Sequence, residues 1–239
     1  MKKLIGLVAA ALMVTSVVGA KPAQAIEKSN RVLLVTSNLT TFGQAKLQWL
    51  YQFLDASSVT LARVMMTPHY RQIYAQTGSS ATATNYVNSL ASLASVAQNK
   101  AIDSFIHLHG APGALWFASG EKSTASLRNN IIAKNIGSKL RLLYSTACFG
   151  SSHTQDFVTA GFRAASGARG VNANASFEYP VVMTRLGLGG TFAEAIAAGN
   201  DGAARAFHDS LARGQGFTGV DSFKVIRGTS SIRLTSNAD

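Results

Sequence analysis

Cysteine, proline and charged residues are all scarce in this sequence. Four prolines and 14% charged residues among 239 positions exclude a proline-rich or solvating disordered chain, and the 21 glycines do not indicate collagen. A hydrophobic content of 47% is typical of a folded globular protein. One domain of roughly 200 residues buries well over half of the surface that its unfolded chain exposes, so its stability needs no disulfide or structural metal.

Acidic residues are the scarcer charged type. The 22 lysines and arginines outnumber 11 aspartates and glutamates, which gives a formal net charge of +11. The basic residues nevertheless form no run of three and do not alternate with aromatic residues on one predicted face, as nucleic-acid-binding surfaces do. Nucleic acid is therefore not an expected partner, and the positive charge favours solubility and acidic partners or surfaces.

The N-terminus has the three parts of a secretory signal peptide. A basic start at residues 1–3 precedes an apolar stretch over 4–20 and the small-x-small sequence Ala23-Gln24-Ala25. The apolar stretch is shorter than the roughly 20 residues of a membrane span. We therefore expect a signal peptide over residues 1–25 and an exported protein, periplasmic or secreted, with no membrane span after cleavage and a net charge of +8.

Apolar runs and helical periodicities alternate along the rest of the chain, and no repeat or linker divides it, which predicts one domain over residues 26–239. The predicted strands are residues 31–36, 59–66, 102–109, 140–147, 168–173 and 222–226. The predicted helices are residues 42–54, 82–98, 126–134, 153–162, 191–198 and 203–211. Such alternation predicts an α/β fold, in which a mostly parallel sheet carries helices on both faces.

Two predicted strands end in residues that can perform chemistry. The strand over 102–109 ends in His109 and Gly110, and the next strand leads into Cys148. If short right-handed crossovers make these strands neighbours, the imidazole and the thiol emerge together at the sheet edge where ligands bind. A neighbouring imidazole or helix N-terminus activates a thiol, and the SHTQ sequence at 152–155 predicts a helix start near His153. We therefore predict a catalytic Cys148/His109 dyad, with the N–H groups of Gly110 and Cys148 as an oxyanion hole.

Two other interpretations of these residues remain open. Cys148 is the only cysteine, which is unusual in an exported protein, and it could be a buried small hydrophobe. Alternatively, His107 and His109 share a strand face and could form a metal site with Cys148 or His153. No CxxC or HExxH spacing accompanies them, so we predict no metal and no organic cofactor, and expect His107 to fill space beside the catalytic histidine.

Two motifs resemble a known family. They are FIHLHGAPGALWF at residues 105–117 and LYSTACFG at 143–150, one helix and one strand later. Together they resemble the caspase-like (clan CD) cysteine peptidases, which include legumains, gingipains, clostripain and caspases and share a strand ending in His-Gly and a next strand ending in Ala-Cys or Ser-Cys. The legumain branch is the most similar, because its histidine motif continues with a Gly-x-Leu-x-Phe-like segment, as residues 113–117 do here. The resemblance implies a caspase-like three-layer sandwich.

The resemblance also implies roles for individual residues. His109 would be the general base and acid, Cys148 the nucleophile, and the N–H groups of Gly110 and Cys148 the oxyanion hole. Thr146 would line the substrate pocket, and Asn174 would contact the substrate from a strand-like segment at 171–176. Legumains carry an acidic residue at the position of Thr146, so asparaginyl specificity does not carry over.

The implied activity is that of an exported cysteine endopeptidase, which cleaves a peptide or protein substrate through a thioester intermediate. If an amine replaced water, the same site would act as a ligase or transamidase. A non-catalytic caspase-like module that binds peptides or proteins is the alternative from another class. Because relatives are activated by internal cleavage, a loop expected over 175–190 is a candidate cleavage site. The sequence leaves the oligomeric state open.

Overall fold

The apolar runs of the sequence form a mixed sheet between two layers of helices. The computed structural model describes residues 25–238, so the predicted signal peptide lies, except for Ala25, outside the described residues. The strands are β1 (Arg31–Asn38), β2 (Gln72–Thr77), β3 (Ala101–Ala111), β4 (Ala114–Phe117), β5 (Gly120–Ser123), β6 (Leu140–Ser145), β7 (Ala164–Ala168) and β8 (Lys224–Gly228). The α-helices are α1 (Gln48–Met66), α2 (Ala83–Ser95), α3 (Thr124–Ile132), α4 (Thr154–Thr159), α5 (Ala175–Gly187), α6 (Phe192–Gly199) and α7 (Gly202–Gly214). Within residues 25–238, no helix has both the length and the hydropathy of a membrane span.

The main sheet has the strand order β2-β1-β3-β6-β7-β8. Its first five strands are parallel, and β8 pairs antiparallel with β7 at the edge. β3 extends beyond the sheet into an antiparallel hairpin with β4, which pairs in turn with β5. β3 and β6 are direct neighbours, with Ile106 opposite Ser145, as the predicted crossover requires.

Successive side chains of the buried strands pack into cores on opposite faces of the sheet. Val32 and Leu34 belong to a core that includes buried residues of α2, α3 and α4. Leu33 and Val35 belong to a second core with buried residues of α1, α5 and α6. Both faces of β1 are covered, which explains its continuous apolar run. The predicted α/β three-layer sandwich is confirmed.

The second predicted strand, over 59–66, is wrong. These residues form the C-terminal half of α1, because Val59, Ala62 and Met66 are buried at helical spacing, while residues 60, 63 and 64 are exposed. The second strand is instead β2, an edge strand whose sequence QIYAQT is largely polar and carries little strand signal.

Three further predictions about local structure need correction. The loop expected over 175–190 is mostly helix α5, whose Tyr179, Val182 and Leu186 are buried at helical spacing. The fifth predicted strand, over 168–173, lies earlier, at the small residues of β7. The helix expected over 153–162 begins at Thr154 and has six residues.

Candidate active site

The carboxyl ends of β3 and β6 bring the two motifs into contact. Gly110 packs so tightly on the turn after β6 that a Cβ added to it would lie 2.3 Å from the carbonyl oxygen of Cys148. Only a residue without a side chain permits this approach. The structure therefore places the His-Gly and Ala-Cys motifs together at the carboxyl edge of the sheet, as the sequence predicts.

The backbone after β1 orients the His109 imidazole. His109 Nε2 lies 2.8 Å from the Leu39 carbonyl oxygen. A carbonyl oxygen can only accept a hydrogen bond, so Nε2 carries the ring proton and is the donor. Nδ1 is then unprotonated in the neutral ring. Burial lowers the pKa of His109, while the Leu39 and Phe42 carbonyls act against this effect. Burial therefore favours the neutral ring, in which Nδ1 is the unprotonated nitrogen.

An aromatic side chain and a close-packed glycine lie beside His109. The Tyr51 ring lies 4.8 Å from the His109 ring, centroid to centroid, in an edge-to-face arrangement. Gly43 closes over both rings, since a Cβ there would lie 2.5 Å from Tyr51 and 2.9 Å from His109. The Trp116 ring packs on the Phe42 ring, with 5.1 Å between the ring centroids. The segment between β1 and α1 thus packs against the imidazole and fixes its plane.

Cys148 is half-buried in the turn after β6. The Asn172 backbone N–H donates to Cys148 Sγ over 3.4 Å. Burial raises the pKa of Cys148, while the Asn172 N–H and the positive charge of Lys224 lower it. A hydrogen-bond donor and a cation therefore stabilise the thiolate form, while burial and the negative charge of Glu178 oppose it and keep the pKa raised.

The SHTQ sequence at 152–155, which predicts a helix start near His153 through the spacing of a capping box, does not form that cap. The Ser152 hydroxyl accepts from the Gly113 N–H over 2.9 Å and donates to the Phe149 carbonyl oxygen, so it does not cap the short helix α4. A 3₁₀ turn at Gly150–Ser152 separates Cys148 from that helix. The expected placement of a helix N-terminus directly behind the thiol is therefore wrong.

The turn that carries Cys148 is anchored to β7. Phe149, the next residue, has a φ of +53°, a conformation that non-glycine residues adopt only when the surroundings enforce it. Its N–H donates to the Gly170 carbonyl oxygen over 2.7 Å. Gly150 then meets Gly167 of β7 backbone to backbone, since a Cβ on Gly167 would lie 2.2 Å from Gly150. These contacts fix the position of the thiol.

The N–H of Gly110 forms no hydrogen bond within the β3–β4 hairpin. Ala111 pairs with Ala114 around the two-residue turn, and Gly110 pairs with Leu115 one step further away. Hydrogen-bonded and non-hydrogen-bonded pairs alternate in such a hairpin, so the Gly110 pair is the non-hydrogen-bonded one. Its N–H can therefore donate to an incoming oxygen, and the oxyanion hole of Gly110 and Cys148 stays a prediction.

Thr146 and His107 form a buried pair below the cysteine turn. Thr146 Oγ1 lies 3.1 Å from His107 Nδ1, and both side chains are buried. Burial lowers the pKa of His107 to about 3, so this ring is a neutral packing group, as we expect from its position. The role of Thr146 in a substrate pocket stays a prediction.

Asn174, the predicted substrate contact, lies at the start of α5. Its side chain is fully buried, and its Nδ2 donates to the Gly199 carbonyl oxygen at the end of α6 over 3.1 Å. Its amide thus joins the start of α5 to the end of α6, and its contact with a substrate stays a prediction. Asn172, two residues earlier, contacts Cys148 Sγ. No side-chain signal in the sequence indicates this contact, because the donor is a backbone N–H.

The alternative metal site is not assembled. His153 Nε2 lies 2.8 Å from the Ala111 carbonyl oxygen, while His109 and His107 have the separate partners described above. Over residues 25–238, no group of three histidine, cysteine or carboxylate side chains is arranged to hold a metal ion.

Comparison with known proteins identifies the architecture. The crystal structure of caspase-1 from Spodoptera frugiperda superposes with a TM-score of 0.53 over 84% of this chain and 87% of the caspase chain. The chain has a caspase-like fold. The sequences are 9% identical, so the likeness shows the fold and not the activity. No protein-family model and no curated protein matches the sequence, and the legumain branch stays a prediction.

Proposed function

We propose that this protein is a cysteine endopeptidase that uses Cys148 as nucleophile and His109 as general base and acid. The observation that carries the proposal is the juxtaposition of the His109-Gly110 strand end with the turn of Cys148, on a caspase-like sheet. In nucleophilic catalysis, a third group usually orients the base that activates the nucleophile. The Leu39 carbonyl is proposed to be that group, because it accepts a hydrogen bond from the imidazole.

The proposed reaction begins with proton transfer from Cys148 Sγ to His109 Nδ1. The thiolate attacks the carbonyl carbon of the peptide bond, a C–S bond forms, and the N–H groups of Gly110 and Cys148 stabilise the oxyanion. The imidazolium then donates its proton to the leaving amine as the C–N bond breaks, which leaves a thioester. Water, deprotonated by His109, hydrolyses the thioester and restores the free thiol. An amine in place of water would give a transamidase or ligase.

The resting charge state of the dyad follows from its burial. Burial lowers the pKa of His109 and raises that of Cys148, and both shifts favour a neutral imidazole beside a neutral thiol. The proton transfer therefore accompanies substrate binding or attack, and no thiolate–imidazolium pair is stored in the resting protein. The same burial makes the thiol less reactive, which is the observation that favours the alternative, a non-catalytic module that binds a peptide or protein.

We further propose that the protein acts outside the cytoplasm, in a periplasm or as a secreted protein. The proposal rests on the basic start, the apolar stretch and the Ala23-Gln24-Ala25 sequence at the N-terminus. N-terminal sequencing of the exported protein tests it, and a mature chain that begins at Ile26 is the expected result.

Hydrolysis of a positional library of fluorogenic peptides under reducing conditions tests the peptidase proposal. We expect turnover by the wild type, and its loss in Cys148→Ala and in His109→Ala. His208→Ala is a matched control, since His208 lies on α7 and contacts the Ala204 carbonyl of its own helix. Absence of turnover, with a thiol that alkylates no faster than a free model thiol, would favour the binding module.

A further inference from the structure

A buried ion pair lies behind the cysteine turn, and the proposed reaction does not use it. Lys224 Nζ on β8 and Glu178 Oε1 on α5 are 2.8 Å apart, and the two side chains are 2% and 1% exposed. The desolvation cost of two buried charges often equals or exceeds their attraction, so such a pair is weak evidence for stability. Its position points to another role.

Both members of the pair reach the backbone that carries the nucleophile. Lys224 Nζ donates to the carbonyl oxygen of Ser145, the last residue of β6, over 2.5 Å. Glu178 Oε1 accepts from Asn172 Nδ2 over 3.0 Å, and the same Nδ2 lies 3.0 Å from the Thr146 carbonyl oxygen. The ion pair therefore holds the start of the cysteine turn directly and through Asn172.

Asn172 connects this pair to the sulfur. Its side chain binds Glu178 and the Thr146 carbonyl, while its backbone N–H donates to Cys148 Sγ over 3.4 Å. The residues are brought together from three elements, namely α5, β8 and the segment after β7. Movement of the Glu178 carboxylate would release the Asn172 amide and, with it, the N–H that faces the sulfur.

We propose that Glu178, Lys224 and Asn172 form a positioning unit for Cys148, which holds the Asn172 N–H on the sulfur and places the Lys224 charge behind it. The unit stabilises the thiolate as it forms and so sets the reactivity of the thiol. It deepens the proposed peptidase function, on which its catalytic meaning rests, but thiol reactivity can be measured without any substrate.

The pH dependence of alkylation by iodoacetamide tests the proposal. Cys148 is the only cysteine, so the label reports this thiol alone, and Cys148→Ser gives the background. The ionisable groups around the thiol and its proposed positioning unit are Tyr51 on α1, His107 and His109 on β3, Tyr144 on β6, His153 before α4, Glu178 on α5 and Lys224 on β8. Each variant changes one residue and leaves the other ionisable groups in place. A difference in the pH midpoint of alkylation therefore arises from the substitution.

Lys224→Met removes the cation, and Asn172→Ala removes the amide that holds the N–H in place. We expect both to raise the alkylation midpoint by about half a pH unit, which is roughly threefold slower labelling below the midpoint. Lys224→Arg keeps the charge and should stay close to the wild type. Arg128→Met is the matched control, because it breaks the Arg128–Asp156 ion pair and removes the same charge elsewhere.

Midpoints within about 0.2 pH units of the wild type in Lys224→Met and Asn172→Ala would overturn the proposal, even if melting temperatures fall, since the pair would then be only structural. If Lys224→Met does not fold, Asn172→Ala decides, because Asn172 is partly exposed and its truncation leaves the ion pair in place. Absence of peptide turnover would refute the peptidase and not the positioning unit, since alkylation needs no substrate.

Discussion

Gly167 of β7 and Gly150 beside the cysteine turn meet backbone to backbone, and this contact predicts the effect of a single added methyl group. A Cβ on Gly167 would lie 2.2 Å from the Gly150 carbonyl carbon and 2.4 Å from its oxygen. Both partners are backbone atoms, which cannot rotate away as a side chain would. Gly167→Ala must therefore move the turn that holds Cys148 relative to β7.

The expected cost is that of overpacking a buried site, about 2–3 kcal/mol. For a domain of this size, that loss lowers the melting temperature by roughly 4–12 °C. Gly202→Ala is the matched control, because a Cβ on Gly202 meets no atom within 4 Å and alanine favours the helix that it starts. We expect that variant to melt at or slightly above the wild-type temperature.

Thermal unfolding followed by circular dichroism measures the melting temperature. Iodoacetamide labelling of the folded protein measures the reactivity of the Cys148 thiol. Gly167→Ala should both melt earlier and change the labelling rate of Cys148 severalfold, since the Asn172 donor and the sulfur no longer keep their distance. A melting temperature within about 1 °C of the wild type, together with an unchanged labelling rate, would refute the argument that this contact positions the turn.

Three further predictions follow from buried contacts. Arg141→Met leaves the Asp103 carboxylate buried without its ion-pair partner, so we expect a loss of about 3–5 kcal/mol in unfolding free energy, measured by urea titration. Because burial lowers the pKa of His109, the acid limb of kcat/KM for a peptide substrate should lie below pH 6.5, and a limb above that value would contradict a buried neutral imidazole. Tyr51→Leu should lower kcat by roughly tenfold or more through loss of the ring that holds His109, while Tyr51→Phe should retain activity.

The sequence predicts the α/β layers and the neighbouring strand ends that carry His109 and Cys148, because both depend on strongly patterned strands. β1 and β6 are continuous apolar runs buried on both faces, and their right-handed connections leave little choice of neighbours. The strand predicted over 59–66 is wrong because β-branched residues there belong to a helix whose buried side chains recur at i, i+3 and i+7. Tertiary packing overrides local propensity at that point.

The groups that complete the site are not visible in the sequence for a physical reason. The hydrogen-bond partner of His109 is the carbonyl oxygen of Leu39, and the partner of Cys148 is the N–H of Asn172. Every residue except proline has both backbone groups, so neither partner leaves a signal in the residue types. Glu178 and Lys224 lie 46 residues apart and meet only because α5 and β8 cover the same end of β6. Only the three-dimensional arrangement shows that these groups lie at the candidate site.

Intact-protein mass spectrometry during reaction with peptidyl thioesters of varied sequence tests the central claim most directly. We expect the wild-type protein to gain the acyl mass at Cys148 and to lose it again as water hydrolyses the new thioester. Cys148→Ala should gain none, and His109→Ala should gain and lose the acyl group far more slowly. A wild-type protein that forms no adduct with any thioester, or one that forms it equally in Cys148→Ala, would contradict nucleophilic catalysis by this cysteine.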